Sequence, residues 1–241
     1  MIVLFTDFGL EGPYVGQMKA VLSRLAPEAP VIDLFADAPA FDAKRSAYLI
    51  AAYSAELPAG SIVLGVVDPG VGGKRLAIAI EADGRWFVGP DNGLFELVWR
   101  RARRRRALRI DWRPARLSSS FHGRDLFAPV AAGLALGELP KAAALMRPLA
   151  EASRWPDDLA EIVYIDRYGN AMTGLRAARL GARRRLVAGG RRLARRRTFG
   201  SARPGQSFWY ENANGLAEIA VNQGRADAAL GLVLGARVEV V

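Results

Sequence analysis

The sequence predicts an α/β protein with an N-terminal, mostly parallel, Rossmann-like sheet flanked by helices and a smaller, barrel-like C-terminal antiparallel β domain. Short apolar runs alternate with helical segments through the first 70 residues, which is typical of βαβ units in a parallel sheet. Beyond residue 158 closely spaced short β segments favour antiparallel pairing. With 51% hydrophobic residues among 241, the chain has enough apolar side chains for a packed core.

The first five elements alternate between strand and helix. Residues 2–5 form a short apolar strand, and residues 14–25 carry apolar side chains at helical spacing. Residues 31–35 predict a second strand, residues 41–56 a long helix and residues 61–67 a third, fully buried strand. This βαβαβ order predicts that the first strands run parallel.

The next elements extend this domain. Residues 76–81 and 85–88 predict an antiparallel pair, because Asp83-Gly84 between them is a strong hairpin-turn signal. Residues 94–106 predict a further helix, and residues 127–136 predict a small-residue helix that ends at a glycine.

A domain boundary is expected where residues 148–158 become rich in Pro, Asp and Ala. We therefore expect an N-terminal α/β domain over residues 1–150 and a C-terminal β domain over residues 158–241, forming a small antiparallel sheet or barrel. Its predicted strands are residues 160–166, 185–187, 208–211, 216–221 and 237–241.

Composition excludes several function classes. The chain has no cysteine, which rules out thiolate catalysis, disulfides and Cys-ligated metal sites. A single histidine, His122, argues against a His-based metal site, so we expect neither a metal nor a cofactor. The apolar opening run reaches a carboxylate at Asp7, which predicts no signal peptide, no membrane association and a cytoplasmic protein.

The net charge of +10 and the pI near 10.6 raise nucleic-acid binding as a hypothesis. The clusters lack interleaved aromatic side chains for base stacking, which argues against a nucleic-acid partner. The arginine clusters lie at Arg100, Arg101 and Arg103 to Arg106, at Arg183 to Arg185, and at Arg191, Arg192 and Arg195 to Arg197.

Two polar runs, residues 66–75 and 118–129, are the strongest candidates for chemistry. Asp68 ends the most hydrophobic predicted strand, where a carboxylate is costly unless it meets a partner. His122, next to Arg124 and Asp125, is either a structural histidine or a group that handles protons near neutral pH. A Ser–His–Asp hydrolase is not favoured, because the chain has no Gly-x-Ser-x-Gly elbow.

Asp7 follows the first predicted strand and precedes a glycine-containing turn. It could accept both hydroxyls of a ribose, as acidic residues do in nucleotide sites, or it could be a turn or helix-capping residue. The chain has neither a Gly-x-Gly-x-x-Gly run here nor a P-loop, so a phosphorylated nucleotide is not favoured. Residues 164–170, 211–215 and 220–224 in the second domain are weaker signals, each typical of a turn.

Taken together, the motifs resemble the S-adenosyl-L-methionine hydrolase (adenosine-forming) family, also called S-adenosyl-L-methionine hydroxide adenosyltransferases, which are relatives of fluorinase and chlorinase. Seven ordered matches carry the resemblance over almost the whole chain: residues 6–9, 14–19, 67–72, 90–93, 121–129, 165–170 and 218–221.

The resemblance implies an enzyme in which activated water attacks C5′ of the adenosyl group and expels L-methionine. It implies that the water-activating set is Asp68, Arg75 and His122, which is chemically coherent. The halogenases replace the Asp and His of this set, so the presence of both argues against halogenation.

The resemblance also implies where the substrate binds. Asp7 would hold the ribose hydroxyls, and Phe41 and Phe121 would pack on the nucleoside. The second domain would bind the methionine portion and the adenine side through Asp166, Tyr168 and Asn170. A homotrimer is implied, with each site between the first domain of one subunit and the second domain of its neighbour.

One position departs from the family pattern. A Ser that helps to hold the methionine amine is replaced by Ala213, which lacks the hydroxyl. Two alternatives to a hydrolase therefore stay open: a non-catalytic relative that binds an adenosyl ligand, and a basic RNA-binding protein.

Overall fold

A computed structural model describes residues 1–148, 150–181 and 184–241. The chain forms two compact units, Met1–Arg154 and Trp155–Val241. Arg183, which belongs to the second arginine cluster of the sequence, lies outside the described residues. Each unit has its own buried core.

The first unit is built on a seven-stranded mixed sheet in the order β2-β1-β3-β5-β4-β6-β7. Three of its pairings are parallel (β1 with β2, β1 with β3, β3 with β5), and three that involve β4, β6 and β7 are antiparallel. The α/β class is thus confirmed. The strands are β1 (Ile2–Thr6), β2 (Val31–Phe35), β3 (Ile62–Val66), β4 (Ala77–Ala82), β5 (Arg85–Pro90), β6 (Arg105–Ile110) and β7 (Ala142–Leu145).

The helices of this unit pack apolar faces on the sheet. Val15, Met18 and Leu22 of the first helix are buried, as their spacing predicts. Asp42 caps the second helix by accepting a hydrogen bond from the Arg45 N–H. The helices are α1 (Tyr14–Leu25), α2 (Ala43–Tyr53), α3 (Glu96–Arg101) and α4 (Ala128–Ala135), with a π-helical turn (Gly123–Phe127) directly before α4.

The predicted helix over residues 94–106 is wrong in its second half. The helix ends at Arg101, and Arg105 begins β6, which pairs with β4. The Asp83 carboxylate accepts hydrogen bonds from the Arg103 and Arg104 N–H groups and so ends the helical pattern. Arg105 and Arg106 therefore lie at the exposed start of β6, whereas Arg100 and Arg101 remain in the helix.

The second unit contains only antiparallel pairings among its described sheets. One sheet has the order β12-β13-β9-β8 and the other has the order β11-β10-β14. Isolated bridges join both edges of the four-stranded sheet to residues that flank the strands of the other sheet, Glu161 of β8 with Arg237 and Trp209 of β12 with Arg195, as the expected barrel-like domain requires. The elements are β8 (Leu159–Ile165), β9 (Ala171–Arg176), β10 (Leu186–Ala188), β11 (Arg191–Leu193), β12 (Ser207–Glu211), β13 (Leu216–Val221), α5 (Ala226–Leu230) and β14 (Glu239–Val240).

Within the described residues, no helix combines the length and the apolar composition needed to cross a membrane.

Candidate active site

The carboxyl edge of the parallel strands gathers the first two candidate residues. Thr6 at the end of β1 lies opposite Val66 at the end of β3. Asp7 and Asp68 therefore follow neighbouring strands at the same edge, where open α/β sheets bind their ligands. The two carboxylates are close enough for the charge of Asp68 to contribute to a raised pKa of Asp7, although burial is the larger cause.

Arg75 joins Asp68 to His122. Its Nε lies 3.1 Å from Asp68 Oδ1 and 3.0 Å from Oδ2, and its Nη2 also contacts Oδ2. The same Nη2 lies 2.9 Å from His122 Nδ1. Both partners of the ion pair are largely buried, with side-chain exposures of 11% for Arg75 and 4% for Asp68. The three residues that the sequence placed in one set thus form one hydrogen-bonded chain.

The contact with Arg75 determines the protonation of His122. A guanidinium can only donate, so Nδ1 must accept through its lone pair, and the single ring proton resides on Nε2. The pKa of His122 is lowered, first by burial and then by the positive charge of Arg75. His122 is therefore a neutral imidazole at neutral pH, with an Nε2–H available as a donor.

The loop that carries His122 packs tightly on the loop after β3. Gly72 has a φ of +77°, and a Cβ at this position would lie 2.5 Å from the carbonyl oxygen of Ser119. Only glycine permits this approach without moving the backbone. The close contact keeps the loop that follows Asp68 next to the loop that precedes His122.

Arg124 ties three parts of the site together. Its Nη1 donates to Gln17 Oε1 at 2.8 Å, and its Nε and Nη2 donate to the Asp125 carboxylate at 2.6 and 3.0 Å. Asp125 Oδ2 in turn accepts from the Ser118 N–H at 2.9 Å, and this network holds the pKa of Asp125 low. The Arg124 guanidinium also lies 5.2 Å from the Phe121 ring centre, within cation–π range.

A cavity of about 390 Å³ opens at these residues. Its apolar side is an aromatic cluster of Phe8, Tyr14 and Phe121, whose ring centres lie 5.3 to 5.8 Å apart. The cavity combines apolar rings with a few convergent polar groups, which is typical of small-molecule sites. It is lined by Phe8, Tyr14, Gln17, Val66, Asp68, Val71, Ser118, Ser120, Phe121, His122, Gly123 and Arg124.

Asp7 and Phe41 are joined to each other. Asp7 Oδ2 accepts a hydrogen bond of 2.9 Å from the Phe41 N–H, while the Phe41 side chain is 77% exposed. Phe41 has a φ of +61°, a conformation that aromatic residues rarely adopt. The Asp7 carboxylate thus stabilises a strained backbone, which is a role that the sequence did not reveal.

The second unit places its three candidates on one loop, between β8 and β9. The Asp166 carboxylate accepts from the Asn170 N–H at 2.9 Å and from Asn170 Nδ2 at 3.0 Å. Tyr168, at the tip of the loop, is 76% exposed. Asp166 and Asn170 therefore fix the loop, and the Tyr168 side chain is exposed at its tip.

A second ordered loop lies in the same sheet, between β12 and β13. Asn212 donates from Nδ2 to the buried Glu218 at 2.9 Å and accepts from the Asn214 and Leu216 N–H groups. Tyr210 also donates to Glu218, whose pKa is raised by burial. Glu218 was part of a sequence motif, but only the structure reveals its contact with Asn212. In the described residues, no group of three or more His, Asp or Glu side chains could hold a metal ion.

Comparison with known protein families accounts for both units. The sequence model of the SAM hydroxide adenosyltransferase N-terminal domain matches residues 2–144, and that of the C-terminal domain matches residues 160–239. This chain belongs to the SAM hydroxide adenosyltransferase family.

Two curated relatives are similar to this chain along nearly their full lengths. The (R)-S-adenosyl-L-methionine hydrolase of Thermus thermophilus is 43% identical, over 100% of this chain and 99% of the relative. The enzyme of the same name from Salinispora arenicola is 39% identical, over 98% of this chain and 95% of the relative.

Solved structures show the same fold for this family member. A conserved protein of Thermotoga maritima superposes with a TM-score of 0.87 at 29% identity, over 100% of this chain and 99% of that one. A conserved hypothetical protein of Thermus thermophilus gives a TM-score of 0.79 at 41% identity, over 100% and 99% of the two chains.

Sequence reasoning missed two contributors to this adenosyltransferase site, Gln17 and Arg124. Both lie within motifs that carry the family resemblance, but the hydrogen bond between them spans 107 positions of the chain. The sequence placed Arg124 beside His122, but no local pattern identified Gln17 as its partner.

Proposed function

We propose that this protein hydrolyses S-adenosyl-L-methionine to adenosine and L-methionine. The observation that carries the proposal is the chain of contacts from Asp68 through Arg75 to His122 beside a cavity in a member of this family. The relatives named above carry the same activity in their names and align with nearly the whole chain.

The geometry suits attack by water at C5′. The oxygen of water forms a bond to C5′, and the electron pair of the C5′–S bond leaves with sulfur as the neutral thioether of methionine. The water proton passes to the Asp68 carboxylate, which Arg75 holds in place. Because a sulfonium is already a good leaving group, the proposed reaction needs no metal and no cofactor.

His122 orients the nucleophile in this scheme. Its Nδ1 is occupied by Arg75, so its Nε2–H can donate to the water oxygen and hold a lone pair toward C5′. Arg75 fixes both partners at once, which a monodentate cation could not do. The set thus positions water by one donor and one acceptor before the C–S bond breaks.

The substrate contacts follow from the family resemblance. Asp7 would bind the ribose hydroxyls, and the rings of Phe41 and Phe121 would pack on the nucleoside. The loop of Asp166, Tyr168 and Asn170 in the second unit would bind the methionine portion and the adenine side. We further infer that the chain acts as a cytoplasmic homotrimer, with each site shared between neighbouring subunits.

The test is incubation of the purified protein with S-adenosyl-L-methionine, followed by chromatography. We expect adenosine and methionine in equal amounts from the wild type and from the control Asp111→Asn. Asp111 is a half-exposed carboxylate that pairs only with Arg109 among the described residues. Asp68→Asn keeps the shape but loses the proton acceptor, and its rate should fall by at least about 10²-fold. Binding of intact substrate by the wild type without turnover would indicate a non-catalytic relative instead.

A further inference from the structure

The two main arginine-rich stretches of this chain differ in how their charges are satisfied. In the first unit, Arg106 Nε donates to Glu81 at 2.6 Å, and Arg105 Nη1 donates to the Trp99 carbonyl at 2.6 Å. Both guanidinium groups also stack on indole rings, at 4.9 Å from Trp86 and 4.8 Å from Trp99. Arg105 and Arg106 are therefore integrated into the fold, whereas the side chains of Arg103 and Arg104 are exposed.

The stretch over residues 184–197, here called the arginine hairpin, is different. It contains seven arginines and no acidic residue, and it includes strands β10 and β11. Among the described residues, only Arg195 has a carboxylate partner, Glu211 at 2.7 Å. Arg184, Arg185, Arg191, Arg192, Arg196 and Arg197 have no ion pair within the described part of the chain.

A hollow of about 540 Å³ lies along this hairpin, lined by Arg195, Arg196, Arg197 and Glu211. Arg195 is held by stacking 5.1 Å from the Trp209 ring centre. The Nε of Arg196 is buried and has no acceptor in the described residues. The hollow therefore presents the guanidinium groups of Arg196 and Arg197, which have no ion pair in the described residues, beside the paired Arg195.

We infer that the arginine hairpin and its hollow bind the phosphate backbone of a nucleic acid. Guanidinium groups match phosphate oxygens through paired donors, and this concentration of unpaired guanidiniums exceeds what one small anion requires. From Arg191 to Arg196 the chain spans roughly 16 Å if extended, the length of about five nucleotide steps. A chain of phosphates therefore fits better than a single one.

The structure also indicates that the arginine hairpin would not distinguish one base sequence from another. The hairpin contains no aromatic residue, and Trp209 beside it is fully buried, so neither supplies a ring to stack on a base. Recognition would rest on backbone charge alone. Binding should therefore be independent of base sequence and steeply dependent on salt.

The experiment measures fluorescence anisotropy of two labelled 20-nucleotide RNAs of unrelated sequence across a KCl series. The site variant is Arg191→Gln with Arg192→Gln and Arg197→Gln, three exposed side chains outside the proposed catalytic and substrate residues. The matched control removes the same charge from the first unit through Arg103→Gln, Arg104→Gln and Arg106→Gln. Thermal melting and hydrolysis by both variants verify the fold.

We expect the site variant to bind at least about tenfold more weakly at low salt, with the slope of log K against log[KCl] reduced by about 2. The control variant should bind like the wild type, and both RNAs should bind equally. Equal losses in the two variants would mean that net charge alone attracts RNA, which overturns the inference. Displacement of RNA by micromolar pyrophosphate would also overturn it, in favour of a small-anion site.

If the site variant melts at a lower temperature than the wild type, Arg197→Gln alone replaces it. Arg197 is exposed and lines the hollow, so its loss should still weaken RNA binding and lower the slope by about 0.7. An unchanged slope in that single variant contradicts the assignment.

Discussion

At the scale of single residues, the protonation of His122 is the most direct consequence of the site geometry. The neutral ring accepts from Arg75, whereas the imidazolium has no lone pair left for this contact. Acid should therefore break the chain of contacts at His122 first. The folded state binds the His122 proton less readily than the unfolded state does. Protonation of this residue therefore lowers the free energy of unfolding as pH falls below about 6.5.

We predict that the acidic limb of kcat/KM lies below pH 6.5, because the pKa of His122 is lowered from that ordinary value. As His122 is the only histidine, its imidazole signals in NMR can be followed without ambiguity. The NMR midpoint and the kinetic midpoint should coincide in the free enzyme. A midpoint at or above 6.5 would contradict the geometry described here.

Arg124→Met should weaken substrate binding more than it slows the chemical step. The variant loses the contacts with Gln17, Asp125 and the Phe121 ring, which shape the cavity, whereas Asp68, Arg75 and His122 keep theirs. We expect KM to rise about tenfold and kcat to change less, measured by steady-state kinetics. Arg116→Met, a nearby exposed arginine, serves as the control. An equal fall in kcat and kcat/KM would show that Arg124 acts in the chemical step.

The sequence selected candidate residues that the structure brings together, but it did not predict the contacts among them. The chemical types of Asp68 and His122, together with the family resemblance, were enough to select them and Arg75. The tautomer of His122 could not be predicted, because it depends on which atom of Arg75 meets which ring nitrogen. The link from Asp7 to Phe41 was hidden for the same reason, since it spans 34 positions.

At the scale of elements, the loop after β3 depends on one glycine far more than on its neighbour. Gly72→Ala places a Cβ 2.5 Å from the Ser119 carbonyl at a φ of +77°, whereas Gly70→Ala meets no described atom closer than 4.0 Å. We expect Gly72→Ala to lower stability by about 2 kcal/mol and activity by at least about tenfold. Gly70→Ala should change both little. Urea unfolding and turnover measure the two effects, and equal behaviour of the variants would refute the packing argument.

Helices and strands were predicted correctly where short-range sequence patterns determine them. The hairpin at Asp83-Gly84 was confirmed, since both residues adopt positive φ, 47° and 78°, as a tight hairpin turn requires. Strand β7 has the sequence Ala-Ala-Ala-Leu, which has little strand propensity, and it forms only because β6 offers a pairing edge. Strand β9, with the sequence Ala-Met-Thr-Gly-Leu-Arg, was missed for a similar reason, because it has only one β-branched residue and forms by pairing with β8 and β13.

At the scale of the whole molecule, the proposed shared site can be tested by mixing inactive subunits. Asp68→Asn inactivates the first unit and Asn170→Ala the second, so neither homotrimer should turn over substrate. After unfolding and refolding together, about one site in four would combine two intact units from different subunits. We expect activity to return to that level, measured with the chromatographic assay, and light scattering should give three times the 26.1 kDa chain mass.

A site built within one chain gives the opposite result, since mixed subunits would then stay inactive. The two-unit organisation itself followed from composition, because the change from alternating to antiparallel patterns is visible in the sequence. The proposed homotrimer cannot be derived in that way, because it would depend on surfaces whose complementarity no local pattern encodes.

The hydrogen bond from Phe41 to Asp7 affects how ligand measurements should be interpreted. The carboxylate that would receive the ribose also anchors a strained turn, so removing it releases the chain as well as the sugar contact. Part of any loss of affinity in an Asp7 variant would then come from the entropic cost of ordering the loosened loop when the ligand binds. Calorimetry would separate the lost sugar contact from the loosened loop, because only the loop adds an entropic penalty to binding. An equilibrium constant alone combines the two contributions.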